Sequence, residues 1–276
     1  MLHVLERCKL ACMSPTTTAA FFDLDKTIIA TSSAFAFGRG FLESGLITRQ
    51  EALELYLTKA SYMFVGQSSS KMDATRDRLA EMVEGWDVED ISRVVSETMG
   101  TVVTPAIYTE ARELIDYHRK QGHDLVIVSA SARILVEPIA QELGIDTIVA
   151  TEAEVVDGKL TGTITRYLKG PAKEEAIREL AAERGYNLED CYAYSDSTTD
   201  IPMLEIVGHP VAVNPERGLR KHAAEQGWEI RTFKNPEPLV PSPGAREIGI
   251  GAGIAAGVTA LAAVSVWLTQ RGRGAS

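Results

Sequence analysis

The chain has 276 residues, 45% hydrophobic and 24% charged, which excludes disorder or fibrous repeats for most of it and suits one large domain or a core with a smaller companion. Acidic residues outnumber basic ones, 38 to 28, and the formal charge of −10 offers no footprint for a polyanion, so nucleic acid is excluded as a partner. Three cysteines (Cys8, Cys12, Cys191) make neither a disulfide framework nor a zinc site, which fits a reducing, cytoplasmic setting for the folded part.

Residues 1–16 read as a leader in which Glu6, Arg7 and Lys9 interrupt the apolar run that a secretory signal requires, and Met13 is a candidate start in its own right. Ala19–Asp23 (AAFFD) is a short apolar run ending in acid, the mark of a buried strand. From Thr31 to about Thr104 the pattern is helical. Thr48-Arg49-Gln50-Glu51 is a capping box opening a stretch through Phe64, and Asp87, with Asp90 three residues on, opens another. After Pro105 the pattern alternates. A helix over Ala106–Gln121 stops at Gly122, and the strand Asp124–Ser129 follows. A helix over Arg133–Leu143 then leads to the strand Thr147–Ala150. Glu154–Ile164 carries an Asp157-Gly158 turn between alternating runs and predicts a hairpin. A helix over Ala172–Arg184, the strand Cys191–Tyr194, a short helix Ile201–Val207, the strand Val211–Val213, a last helix and the strand Trp228–Arg231 complete the series.

Strands alternating with helices predict an α/β fold on a Rossmann-like, mostly parallel sheet covered on both faces. The helical block at 31–104 interrupts this pattern directly after the first strand. It is read as a cap inserted at the carboxyl edge of a core made of 17–30 and 105–234, the edge where ligands bind in such sheets.

Residues 235–247 form a Pro-rich linker to Ile248–Leu268, 21 residues without a charge. As a helix this stretch measures about 31 Å, against a hydrocarbon core of about 30 Å. Trp267 takes the place of an interfacial aromatic, and a short tail, 269–276, follows. The run reads as a single C-terminal transmembrane helix. It would anchor the protein to a membrane with the folded part in the cytoplasm; a buried Ala/Gly-rich helix docked on the domain is the alternative. Gly249, Gly253 and Gly257 fall on one helix face, which suits close helix–helix approach and a homodimer.

Four segments fall at the carboxyl ends of predicted strands or at a helix start: Asp23-Leu24-Asp25-Lys26-Thr27, Ser129-Ala130-Ser131, Lys173, and Tyr194 through Asp200. Singly, Asp25, Ser131 and Asp200 also read as helix caps. Caps do not, however, gather acids at several strand ends. Such a group repels itself unless a cation is bound, and an all-oxygen set favours a hard one such as Mg²⁺. A carboxylate held there can attack phosphorus. A lysine with hydroxyl and backbone N–H donors then offsets the phosphate charge, and a second acid shuttles the proton.

At these residues the sequence resembles the haloacid dehalogenase-like (HAD) superfamily of phosphohydrolases, over about residues 17–234. Asp23-Leu24-Asp25-Lys26-Thr27 is similar to that family's D-x-D-x-T motif. The resemblance implies Asp23 as nucleophile, Asp25 as general acid and base, and Lys173 as the family lysine. It also implies Thr27, Ser129, Ala130 and Lys173 on the phosphate. Asp23, the Asp25 carbonyl and Asp196 would hold Mg²⁺, with Asp200 close by. A helical insertion after the first motif resembles the C1-capped, phosphoserine-phosphatase-like branch, subfamily IB. The chain departs from that branch where Ser32 stands in place of an acid that meets the substrate ammonium. It departs again where Ala130-Ser131 replaces a glycine pair. Of the cap residues Phe35, Phe37, Phe41, Tyr56, Tyr62, Met63 and Phe64, most are expected to form the cap core and some to line the pocket. The implied function is Mg²⁺-dependent hydrolysis of a small-metabolite or lipid phosphomonoester. The alternative is a membrane-tethered regulatory module that binds a phosphorylated ligand or partner with little turnover.

Overall fold

Four residues, Ala19–Phe22, make strand β1, and every one of them is buried. Such a strand must be covered on both faces. The computed structural model describes residues 18–53 and 69–236, with the side chains of 69–75 outside that description. β1 lies in the middle of a seven-stranded sheet, hydrogen-bonded in parallel to β2 (Asp124–Ala132) on one side and to β5 (Tyr192–Ser195) on the other. With β3 (Thr147–Val156), β4 (Lys159–Arg166), β6 (His209–Val213) and β7 (Glu229–Arg231), the order is β4-β3-β2-β1-β5-β6-β7. Among the strand pairs of the described residues, β3–β4 alone is antiparallel.

The side-chain alternation of β1 separates two cores. Ala20 and Phe22 pack with Ile115 and Leu114 of α4 (Thr109–Lys120) and with Val136 and Ile139 of α5 (Arg133–Glu142). Ala19 and Phe21 face Ile177 of α6 (Pro171–Arg184), Met203 and Leu204 of α7 (Ile201–Glu205), and Leu219 of α8 (Arg217–Gln226).

The insertion after β1 contains α1 (Ser33–Glu43), helical residues 49–53, α2 (Ser69–Met82) and α3 (Val88–Thr98). The expected capping box is present: Glu51 N–H donates to Thr48 Oγ1 at 3.2 Å, and Thr48 N–H donates back to Glu51 Oε2 at 2.7 Å. Asp87 caps α3 through Glu89 N–H at 2.9 Å. Phe37, Phe41, Ile91, Val94 and Val95 join the core residues Ile28, Ile29, Val136 and Ile139 in one apolar cluster. Complete burial of Phe37 alone contributes about 1.5–3 kcal/mol. α1 and α3 approach so closely at Gly40 that a Cβ there would stand 2.4 Å from Thr98 Oγ1. Phe35, by contrast, is 48% exposed, and Tyr56, Tyr62, Met63 and Phe64 lie outside the described residues.

Several boundaries differ from the sequence reading for identifiable reasons. The helix expected from Ala106 begins at Thr109, because Thr104–Ala106 is a 3₁₀ turn and Ile107 is extended against Ile29. The strand Thr147–Ala150 runs on through Val156, since β4 takes over as its partner where β2 ends. The predicted Asp157-Gly158 turn is present, with positive φ at both residues (50° and 76°). The stretch 31–104 is not helical throughout. Residues 85–88 pair with the hairpin: Gly85 N–H donates to Leu160 O at 2.7 Å, Leu160 N–H to Trp86 O at 2.9 Å, and Val88 N–H to Gly158 O at 2.9 Å. Met99–Val103 forms a π-turn.

The inserted helices and the sheet with its covering helices belong to one compact unit, ending at Glu237. The leader 1–16, the anchor at 248–268 and its Gly249/Gly253/Gly257 face lie outside the described residues. Among the described residues, no helix is long and apolar enough to cross a membrane.

Candidate active site

Where β1 ends, Asp23 N–H still donates to Tyr194 O at 2.9 Å, so the strand register carries the Asp23 carboxyl to the carboxyl edge of the sheet. The chain then turns sharply. Ile28 and Ile29 N–H groups both reach back to Leu24 O, and Lys26 takes a left-handed φ of 62°. This turn presents Asp25 beside the start of the cap and buries Thr27 to 1% exposure with its Oγ1 unpartnered.

Lys173 enters from the first turn of α6, where Gly170 (φ 58°) and Pro171 open the helix. It is 2% exposed, and its Nζ donates to Asp23 Oδ1 at 2.6 Å and to Asp200 Oδ2 at 2.7 Å. Burial alone would lower its pKa; the Asp200 and Asp23 carboxylates outweigh that and raise it above the ordinary lysine value. Asp200 precedes α7 as its N-cap residue, yet its side chain does not cap. Oδ2 is shared between Lys173 and Ser195 Oγ, the latter at 2.8 Å. The capping reading of Asp200 is thereby set aside, and its place is beside the lysine.

Asp25 accepts at both oxygens: Ser33 N–H donates to Oδ1 at 2.8 Å and Ser131 Oγ to Oδ2 at 3.0 Å. Burial raises its pKa, and these bonds act in the opposite direction. Ser131 does not cap α5 either, since Ala132 occupies that position. Ser129, 1% exposed, accepts Ser131 N–H at 3.1 Å, and the Ala130 carbonyl accepts Thr151 Oγ1 at 2.7 Å.

Asp196, 7% exposed, has Lys26 Nζ 4.0 Å away. Burial, followed by repulsion from Asp23, pushes its pKa up to about 8; burial pushes Asp23 up to about 7 despite Lys173. Lys173, the ammonium bonded into the group, meets Asp23 and Asp200 but neither Asp25 nor Asp196. Among the described residues no three His, Cys, Asp or Glu side chains close into a metal cage. The expected donors are Asp23, the Asp25 carbonyl and Asp196, with Asp200 close by, and the hydrogen bonds of the site are compatible with that set. Both Asp25 oxygens are taken, and so is Asp200 Oδ2. Asp23 and Asp196 with the Asp25 carbonyl remain, a donor set that suits a small hard cation completed by water and phosphate oxygens.

The arrangement brings Asp23, Lys173 and Asp200 into one bonded group and Asp25, Ser131 and Ser129 into another. Several of its members were not singled out from the sequence. Ser33 and Ser195 are single hydroxyls without a periodic signal. Glu216 accepts Thr198 N–H at 2.6 Å and donates its own N–H to Asp196 O at 2.9 Å, bracing the loop after β5.

A family model described as haloacid dehalogenase-like hydrolase matches residues 20–205. The chain is 48% identical over 252 residues to a probable phosphatase of Mycobacterium tuberculosis, covering 90% of this chain and 87% of that one. It is 37% identical over 220 residues to a phosphoserine phosphatase of the same bacterium, covering 79% and 71%. A solved structure described as a phospho-aspartyl intermediate analogue of phosphoserine phosphatase superposes with a TM-score of 0.59 at 23% identity, covering 80% of this chain and 95% of that one, a likeness of fold.

Proposed function

This chain belongs to the haloacid dehalogenase-like hydrolases and is a phosphatase of that family; from that premise we propose that it cleaves phosphomonoesters through a phosphoryl group carried on Asp23. The observation that carries the proposal is the division of labour between two acids two residues apart. Asp23 is bonded to a buried lysine, whereas Asp25 is held at both oxygens by groups of the cap and of β2.

In the first step Asp23 Oδ forms a bond to phosphorus while the ester P–O bond breaks, and Asp25 gives its proton to the departing alkoxide. In the second, water attacks phosphorus, Asp25 takes the water's proton, and the Asp23–phosphorus bond breaks to release inorganic phosphate. Lys173 offsets charge on the transferring group and, with Asp200, holds Asp23 in place. Thr27 and Ser129 supply hydroxyls, and Ala130 backbone, beside the phosphate. A divalent cation such as Mg²⁺, held by Asp23, Asp196 and the Asp25 carbonyl, would offset the negative charge that Lys173 leaves uncompensated.

The substrate is proposed to be a small phosphomonoester whose alcohol part meets the cap. Ser32 is committed to capping α1 through Phe35 N–H at 3.3 Å, so this position brings no carboxylate to an ammonium group. That supports a phosphate ester other than phosphoserine. Asp23→Asn is expected to lower phosphatase kcat by several orders of magnitude, and acid-quenched protein incubated with labelled substrate is expected to carry label only with Asp23 present. Full activity in Asp23→Asn would overturn the assignment.

A further inference from the structure

Resting on the reading of Asp25 as general acid and base, we propose that Ser131, supported by Ser33, is a positioning pair that fixes the direction of the Asp25 carboxyl and makes the acid depend on the first cap helix. The sequence puts these residues far apart: Ser33 opens α1, and Ser131 lies on β2, 98 positions later. In the fold they form one closed set with Asp25. Ser33 Oγ donates to Ser131 Oγ at 2.7 Å, Ser131 Oγ donates to Asp25 Oδ2 at 3.0 Å, and Ser33 N–H donates to Asp25 Oδ1 at 2.8 Å.

The geometry accounts for every donor. Ser131 has a single hydroxyl proton, and it goes to Asp25. Its oxygen in turn accepts from Ser33, which removes the competing orientation in which Ser131 donates elsewhere. Ser33 is fully buried, so no water replaces it. The backbone N–H of Ser131 is tied to Ser129 Oγ at 3.1 Å, which sets the Ser131 backbone itself. A carboxyl accepting at both oxygens does not turn about its last side-chain bond. Its remaining lone-pair positions, and the proton it carries as an acid, are then presented in one direction. A glycine or alanine at 131 would leave Oδ2 without this donor. Asp25 would then be held from α1 alone, through Ser33, and nothing on β2 would fix its direction. Ser33 is also the first residue of α1, so one of the two bonds to the acid, and the bond that orients the donor of the other, hold only while that helix keeps its seat.

A group that positions a general acid matters in proportion to how much the leaving oxygen needs a proton. The experiment therefore compares an alkyl phosphate, whose alkoxide leaves poorly, with p-nitrophenyl phosphate, whose phenolate leaves unaided, using the full-length protein with Mg²⁺. Ser131→Ala is expected to lower kcat/KM, which reports phosphorylation of Asp23 and not the later hydrolysis common to both substrates, by about tenfold or more on the alkyl phosphate and by less than about threefold on the aryl phosphate. Ser131→Thr is expected to restore the alkyl rate. Ser33→Ala is expected to show a smaller loss with the same preference, and it serves as the second variant if Ser131→Ala folds poorly. In an Asp25→Asn background, Ser131→Ala should cost nothing more. Equal losses on the two substrates, or losses that add to that of Asp25→Asn, would overturn the positioning role. The underlying reading fails separately and visibly: if Asp25→Asn alone keeps wild-type turnover of the alkyl phosphate, Asp25 is not the acid.

Discussion

The Lys173 ammonium stands 2.6 Å from Asp23 Oδ1 and almost completely out of solvent, with Asp200 at 2.7 Å on its other side. One buried cation thus serves two buried carboxylates, and its removal leaves both uncompensated. Lys173→Met is expected to cost about 3–5 kcal/mol of stability, and to reduce phosphatase kcat by about 10²-fold or more. Thermal unfolding with kinetics on p-nitrophenyl phosphate measures both. A variant within about 1 kcal/mol of wild type would show that the pair is not what holds this edge.

Cation binding is expected to release protons. Asp23 is pushed up to about 7 and Asp196 to about 8, burial being the largest cause in each. Both therefore hold protons to higher pH in the folded protein than in the unfolded chain. Without metal, their contribution favours folding at low pH and is lost as pH rises through 7 and 8. A divalent cation binds the deprotonated forms and should reverse that slope. Mg²⁺ should accordingly raise Tm more at pH 8 than at pH 6, and titration calorimetry at pH 7 in buffers of different ionisation enthalpy should register released protons. Equal stabilisation at both pH values would count against these ligands.

His118 provides an acid-sensitive element beneath the site. Its Nε2 is 2.8 Å from the Tyr194 hydroxyl and its Nδ1 is 2.8 Å from His123 Nδ1; the ring is fully buried. Burial, with smaller effects from His123 and Arg231, lowers its pKa from 6.5 to about 4. The unfolded chain therefore takes up the proton first as pH falls. The stability involved, on the order of 3 kcal/mol, is fully present above about pH 6.5 and lost progressively toward pH 4. The stability of wild type relative to His118→Gln should decline across that window. A difference independent of pH would mean that the ring is not held neutral.

Much of the core was legible because it rests on local signals. AAFFD is a short apolar run consistent with a buried strand, and Asp157-Gly158 between alternating runs admits the observed turn. The acids were legible as a group because each follows a strand end. Their individual bonds were not. Asp200 and Ser131 occupy positions where a cap is the ordinary reading, and only the fold shows that one holds Lys173 and the other holds Asp25. Ser33 carries no pattern at all, since a hydroxyl at the start of a helix acquires meaning only through a partner 98 residues away. Pairing of 85–88 with the hairpin and the π-turn at Met99–Val103 were missed for the same reason: each depends on what packs alongside, not on neighbours in sequence.

The three backbone bonds between residues 85–88 and the β3–β4 hairpin make that hairpin a strut for the segment that opens α3. A lengthened or shortened turn at Asp157-Gly158 would re-seat the start of α3 without touching a single carboxylate. Variation in that ribbon thus bears first on the seat of α3, whose Ile91, Val94 and Val95 share an apolar cluster with Phe37 and Ile28.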